Sequence, residues 1–157
     1  MKALDRTEVL AAFPPKARRR LRVPDLGAID WSQREFLAWF EPDGSTGYMV
    51  ACLDEHPFGF VLHRIPVRTV GARRFMCTLC LALHVQGGVA AFKFVKSHRG
   101  GLKTRSIHIC ADLGCWRYVR GERPDGGAVL PETLSAEEKI ARLQRNVDRF
   151  ARDTLAF

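Results

Sequence analysis

Four cysteines in two closely spaced pairs are the residues best suited to chemistry in this sequence. Cys77 and Cys80 form a CxxC sequence, and Cys110 and Cys115 form a CxxxxC sequence after 29 intervening residues. A structural zinc site needs four ligands in a tetrahedron, and four thiolates satisfy that need. In a reducing compartment, paired cysteines are more often metal ligands than disulfides. We therefore predict one structural Zn²⁺ held by these four side chains.

Other roles for these residues predict different surroundings. A thioredoxin-like redox motif needs its CxxC between a strand and a helix of a βαβ unit, whereas here the chain runs through Gly87 and Gly88 into a predicted strand. His84 and His108 lie near the cysteines and are alternative ligands. We expect each histidine either to lie next to the metal site or to be a surface residue, because four cysteines already complete the coordination of zinc. Cys52 is predicted to be a small buried hydrophobe.

Three common catalytic motifs are absent from the sequence. It has no Gly-rich phosphate loop, no HExxH and no Gly-x-Ser-x-Gly. A catalytic zinc keeps an open ligand position, which four thiolates do not leave. We predict a binding protein that is not an enzyme. A zinc enzyme with a histidine or water in place of one cysteine stays as an alternative.

Size and charge bound the remaining possibilities. The chain has 157 residues and a formal net charge of +8, so one domain over residues 1–157 is expected, with a surface that attracts polyanions. Five of the seven residues in Lys16–Arg22 are basic; this segment is either a solvated turn or a phosphate contact. No secretory signal or membrane-length apolar run is visible. We therefore expect a cytoplasmic monomer.

The elements that must position the cysteines are predicted from periodicity and turn residues. Residues 4–13 predict a short amphipathic helix, and the aromatic residues between Trp31 and Phe40 lie near helical spacing and are expected in the core. The predicted strands are Tyr48–Leu53, Phe58–Ile65, Val89–Val95 and Thr104–Ile109, the first two joined as a hairpin. A short helix is predicted over Ala111–Arg120. The fold class is α+β: an antiparallel β-sheet with flanking helices and a treble-clef zinc finger at about residues 75–121.

The C-terminal segment predicts the clearest helix, at about residues 135–153. Ser135 and Glu138 form a capping-box pattern. An apolar stripe follows at three- and four-residue steps, formed by Ile140, Leu143, Val147 and Phe150. A basic stripe two residues later is expected on the solvent side: Arg142, Arg145, Arg149 and Arg152.

Several of these motifs together resemble one family. They are Met76-Cys-Thr-Leu-Cys80, Ile109-Cys-Ala-Asp-Leu-Gly-Cys-Trp-Arg-Tyr-Val-Arg-Gly121, Leu130-Pro-Glu-Thr-Leu134 and the segment Arg142–Phe150. The chain resembles the FBP family, the elongation-factor-G-binding proteins related to the fusidic acid resistance protein FusB, and in particular their zinc-binding C-terminal domain. We expect it to lack the separate N-terminal helical bundle of FusB.

The resemblance implies a role in translation. Members of this family bind elongation factor G and help it leave the ribosome, which relieves stalling by fusidic acid, and their factor-binding surface lies largely on the zinc domain. Candidate partner contacts here are Lys103, Arg105, Arg117, Tyr118 and Arg120, because Arg and Tyr are favoured at interface hot spots. The alternative function is direct binding of RNA or the ribosome by a basic zinc finger.

Overall fold

The chain folds around a five-stranded antiparallel sheet. The computed structural model describes residues 1–66, 74–85, 87–98, 101–122 and 132–156. Its helices are α1 (Arg6–Ala11), α2 (Pro15–Arg18), α3 (Cys115–Val119) and α4 (Ala136–Ala156), with 3₁₀ turns at Leu26–Ala28 and Trp31–Gln33. Its strands are β1 (Leu37–Phe40), β2 (Thr46–Leu53), β3 (His56–Arg64), β4 (Arg74–Met76), β5 (Leu83–Val85), β6 (Val89–His98) and β7 (Gly101–Cys110).

Strand order in the main sheet is β1-β2-β3-β6-β7, while β4 and β5 form a separate two-stranded sheet. The predicted hairpin is confirmed: β2 pairs with β3 so that Leu53 faces His56. The two residues between them, Asp54 and Glu55, have φ of 48° and 66°, as a tight hairpin turn of the I′ kind requires. The α+β class predicted from the sequence is confirmed.

Residues along β2 alternate between two apolar clusters, one on each side of the sheet. Met49 and Ala51 belong to the cluster that contains the four paired cysteines and α4. Tyr48 and Val50 belong to a second cluster built with the N-terminal segment. Successive side chains of a strand point to opposite faces. The sheet therefore has a zinc face, covered by the cysteines and α4, and an N-terminal face, covered by residues 1–31.

The N-terminal face is held by α1 and the residues after it. Asp5 caps α1 by accepting from the Glu8 backbone N–H at 2.8 Å, and the Glu8 carboxylate accepts from the Asp5 N–H at 2.9 Å. Phe13, which is fully buried, packs over Gly59 of β3, where a Cβ would lie 2.6 Å from its ring. The Gly59 N–H donates to the Ala12 carbonyl at 2.9 Å. Only glycine at position 59 allows this close approach.

The zinc face receives the apolar stripe of α4. Ser135 and Glu138 form the predicted capping box, and Leu143 and Val147 are fully buried. Phe150 packs against the rings of Phe60 at 5.1 Å and of Phe94 at 5.4 Å between centroids. The predicted C-terminal helix is confirmed, and it ends three residues later than expected. Among the described residues, no helix is long and apolar enough to cross a membrane.

One segment near helical spacing forms a strand, and one predicted helix is shorter than expected. The aromatic cluster near helical spacing does belong to the core, but Leu37–Phe40 is a strand, because Leu37 and Trp39 pack on one face of the sheet while Ala38 and Phe40 pack on the other. The helix predicted over Ala111–Arg120 is shortened to Cys115–Val119, since residues 111–114 form the turn that brings Cys110 and Cys115 together.

Candidate metal centre

The two cysteine pairs come together in a single buried cluster. The Sγ atoms of Cys77 and Cys115 are 3.6 Å apart, and those of Cys80 and Cys110 are 3.4 Å apart. All four Sγ atoms lie within 4.8 Å of one another, and the four side chains are buried free thiols. Tetrahedral zinc with Zn–S bonds of ~2.3 Å would hold its sulfurs about 3.8 Å apart. The donor set and its spacing therefore fit one zinc ion.

A tight turn after β4 supplies the first pair. The Leu81 N–H donates to the Cys77 carbonyl at 3.0 Å, and the Cys80 N–H points at the Cys77 Sγ at 3.4 Å. Leu81 has a φ of 61°, the left-handed conformation that residues other than glycine seldom adopt. This conformation turns the chain back so that the Cys77 N–H can donate to the Ala82 carbonyl at 3.0 Å.

The end of β7 and the start of α3 supply the second pair. Cys110 is the last residue of β7 and Cys115 the first residue of α3. The turn between them closes when the Leu113 N–H donates to the Cys110 carbonyl at 2.9 Å, with Leu113 at a φ of 55°. This turn, like the first, contains a leucine in the left-handed region. The leucine follows the second cysteine in the first turn and lies between the two cysteines in the second.

The crowded thiols differ in their readiness to ionise. Hydrogen bonds from Cys110, Cys115 and Cys77 lower the pKa of the Cys80 thiol, against the effect of its burial. Hydrogen bonds with the neighbouring thiols, together with burial, raise the pKa of Cys115 well above its ordinary value. Once one sulfur carries charge, its buried neighbours resist ionisation. A divalent cation at the centre would offset this repulsion and allow all four to act as thiolates.

His84 lies directly against the cysteine cluster. Its side chain is 1% exposed, and its Nε2 lies 3.4 Å from the Cys110 Sγ. The imidazole ring packs edge-on against Tyr118, with 4.5 Å between centroids. His84 is therefore a neighbour of the sulfurs, in a position to donate to Cys110 when its Nε2 carries the proton. His108 is exposed on β7, and its carbonyl accepts from the Thr78 N–H at 2.8 Å.

Two polar side chains of helix α4 hydrogen-bond to the backbone of the turn that carries Cys77 and Cys80. The Arg142 Nη2 lies 3.4 Å from the Cys80 carbonyl and 3.1 Å from Glu132 Oε2, and the Asn146 Nδ2 donates to the Leu79 carbonyl at 2.8 Å. The prediction that Arg142 faces solvent is wrong: it flanks the apolar stripe, and its long side chain reaches back over the turn. Asn146 received no role from the sequence. The position of its side-chain amide next to Val147 of the apolar stripe could have indicated a buried hydrogen bond.

Three of the five predicted partner contacts lie on or beside α3 and are engaged within the chain. Tyr118 is 5% exposed, and its hydroxyl donates to Asp112 at 3.3 Å. Arg120 makes a bidentate ion pair with Glu35, at 2.7 and 3.1 Å. Arg117 is half-buried and pairs with Asp112 at 2.5 Å. The burial of Tyr118 corrects its sequence-based placement on the surface.

The other two predicted contacts lie on β7. Arg105 is exposed, whereas the side chain of Lys103 lies outside what the structure describes. Beyond the predicted residues, the Arg34 guanidinium stacks over the Trp116 ring at 3.5 Å from its centroid. Together with the Glu35–Arg120 pair, this contact fastens the segment before β1 to α3. Cys52, predicted to be buried, is half-buried, and burial raises the pKa of its thiol.

An antiparallel hairpin between two cysteine turns, with a short helix beginning at the last cysteine, defines a treble-clef zinc-finger protein. The family model described as FBP C-terminal treble-clef zinc-finger matches residues 8–154, so the chain belongs to the FBP family. That membership and the buried cysteine cluster assign one structural Zn²⁺ to the protein.

A solved structure shares the fold. The chain is similar to the fusidic acid resistance protein FusC, with a TM-score of 0.58 and 19% sequence identity. The match covers 74% of this chain and 53% of the FusC chain, so this chain spans about half the length of that protein. At 19% identity, this similarity shows only that the two proteins share a fold. A search of curated proteins gave no match.

Proposed function

We propose that this protein binds translation elongation factor G through the zinc face and promotes release of the factor from the ribosome in the cytoplasm. The family match over residues 8–154, with all four cysteines of the centre gathered in one buried cluster, is the observation that carries the proposal. Tolerance of fusidic acid would follow from such release. The likeness to FusC, a fusidic acid resistance protein, is consistent with this proposal.

Zinc has a structural role in this proposal. A closed set of four thiolates leaves no open position for a substrate or an activated water. The ion would fix the two turns, α3 and the adjoining ends of β6 and β7 as one rigid surface. We propose Arg117 as a partner contact on that surface, and Lys103 and Arg105 as further contacts nearer the start of β7, away from the end of the strand that holds Cys110. Tyr118 and Arg120 would act indirectly, by holding Asp112 and Glu35.

Calorimetry with purified elongation factor G at moderate salt tests the proposal. The zinc-loaded wild type should form a saturable one-to-one complex. Cys110→Ser should lose it, because the surface loses its metal. Cys52→Ser is the matched control: it makes the same change at a half-buried thiol outside the cluster, and it should bind as the wild type does.

Two results would contradict the proposal: no complex with the wild type, or equal binding by Cys110→Ser that has lost its zinc. Charge reversal then localises the contact. Arg105→Glu on β7 should weaken binding at least about tenfold, whereas Arg149→Glu, an exposed arginine of α4, should leave it within about twofold of the wild type.

A further inference from the structure

One short segment on the N-terminal face carries a dense run of positive charge. We call Lys16, Arg18, Arg19, Arg20 and Arg22 the basic patch; all five are exposed. No Asp or Glu occurs between Glu8 and Asp25, so no acidic residue of the same stretch offsets these five charges. A second stretch without Asp or Glu, residues 56–111, carries nine Lys and Arg residues but spreads them over a much longer part of the chain.

The patch is firmly held, although it is only a short helix and the turn after it. Pro14 and Pro15 restrict the chain at its start. Leu21 is buried, and Ala17 packs against the same apolar cluster. The Arg18 Nε donates to the Phe13 carbonyl at 2.6 Å and its Nη2 to the Ala11 carbonyl at 3.1 Å. The cations therefore project from a fixed support, which lowers the entropic cost of binding.

Most cations of the patch have no acidic partner among the described residues. Within the part of the chain that the structure describes, no carboxylate lies at ion-pair distance from Lys16, Arg19, Arg20 or Arg22. By contrast, Arg120, Arg142 and Arg152 each have an acidic partner. Unpaired like charges held close together repel one another, and a polyanion would relieve this repulsion.

We propose that the basic patch binds the phosphate backbone of RNA. Stable protein interfaces centre on apolar and aromatic side chains, but the large hydrophobic residues exposed among the described residues are Met76 and Leu155, neither of them in the patch. Membrane-surface helices likewise need an apolar face to insert, and here Ala17 and Leu21 face the core. A purely cationic, mostly arginine surface suits phosphate, which guanidinium groups contact in bidentate geometry.

The position of the patch separates it from the metal centre. The patch rests on the N-terminal face of the sheet, and the cysteine cluster belongs to the opposite face. RNA bound to the patch therefore leaves the zinc face free to bind a second partner. The proposal does not depend on binding of elongation factor G, which is tested separately by variants on the zinc face.

Fluorescence anisotropy with a labelled 16-base-pair RNA duplex, measured across a salt series, tests this proposal. Arg19→Gln/Arg22→Gln should weaken binding at least about tenfold at 0.1 M salt, and the log–log salt slope should become shallower by about 1.8, since each duplex phosphate contact contributes about 0.9. The matched control is Arg145→Gln/Arg149→Gln, which removes two exposed charges from α4. It should change affinity by less than about threefold.

Three results would overturn the proposal. One is no binding of the duplex by the wild type at low salt. Another is equal weakening by both double variants, which would mean that net charge acts without a site. The third is patch-dependent binding of phosphatidylserine vesicles or polyglutamate that is at least as tight as binding of RNA.

Discussion

The two faces of the central sheet are stabilised in different ways. On the zinc face, four buried sulfurs, the His84 imidazole and side chains of α4 meet in a polar centre set within an apolar cluster. On the N-terminal face, aromatic and aliphatic side chains such as Phe13 and Tyr48 are held by close apolar packing. The cations of the basic patch lie on the solvent-exposed surface of this face. The geometry of the zinc face depends on an ion, whereas that of the N-terminal face depends on close packing. Variants that affect one face and not the other test this difference.

Loss of one sulfur should have the largest effect. Cys80→Ser should abolish zinc binding and lower the free energy of unfolding by several kcal/mol, since zinc supplies about 10–16 kcal/mol in small zinc modules. Metal content by mass spectrometry and urea unfolding would measure both. Hydrogen exchange should rise at the cysteine turns and α3 well before it rises in α1. A stable variant without zinc would contradict the role given to the ion.

The second-largest effect is expected when the ion pair between Glu35, which precedes β1, and Arg120, which follows α3, is broken. Glu35→Gln leaves the Arg120 guanidinium, which is 16% exposed, without its charged partner. Breaking a buried pair costs ~3–5 kcal/mol, and we expect about 3 kcal/mol in urea unfolding. Asp54→Asn is the control, because its pair with Arg152 is open to solvent, at 75% and 57% exposure. It should cost less than about 1 kcal/mol; equal costs would refute the distinction.

Replacement of His84 should lower the affinity for zinc more than it lowers the stability of the fold. His84→Leu should weaken zinc binding about 10- to 100-fold, as loss of a group that hydrogen-bonds a ligand commonly does. His84→Gln, which keeps a donor near the Cys110 Sγ, should restore much of the affinity. Zinc transfer to a chromogenic chelator measures this, with exposed His108→Leu as the control. Unchanged transfer in His84→Leu would show that the contact is only packing.

The smallest effect is expected on the N-terminal face. Gly59→Ala places a methyl group 2.6 Å from the Phe13 ring, and such overpacking should cost about 1–2 kcal/mol. Zinc content should stay at one ion per chain. The double variant Gly59→Ala/Phe13→Leu should recover part of the loss, because the smaller side chain leaves room. Loss of zinc in the single variant would mean that the two faces are not independent.

The same difference explains what could be predicted from the sequence. The metal centre depends on a few residues of one chemical type at short spacing, so Cys77, Cys80, Cys110 and Cys115 could be identified without a structure. The hairpin and α4 were predictable from turn residues and a regular apolar stripe. Close apolar packing leaves no comparable pattern of residue types and spacing in the sequence, and nothing in the sequence predicts that Phe13 packs over Gly59.

The sequence left the structure open where a pattern fits two structures, and it misled where a long side chain changes direction. Leu37–Phe40 carries apolar side chains on both faces, so its period does not distinguish strand from helix. Arg142 lies beside the apolar stripe of α4, and only the position of the cysteine turn shows that its guanidinium reaches the Cys80 carbonyl. Tyr118 is predicted as a surface contact from its residue type alone, whereas in the structure Asp112 and His84 lie against its side chain.

X-ray absorption at the zinc edge of the purified protein tests the central claim most directly, because it counts the atoms bound to the ion. We predict one zinc ion per chain with four sulfur neighbours at about 2.3 Å. Three sulfurs and one nitrogen at ~2.0–2.1 Å would contradict the account, since they would make a histidine a ligand and leave one cysteine outside the centre.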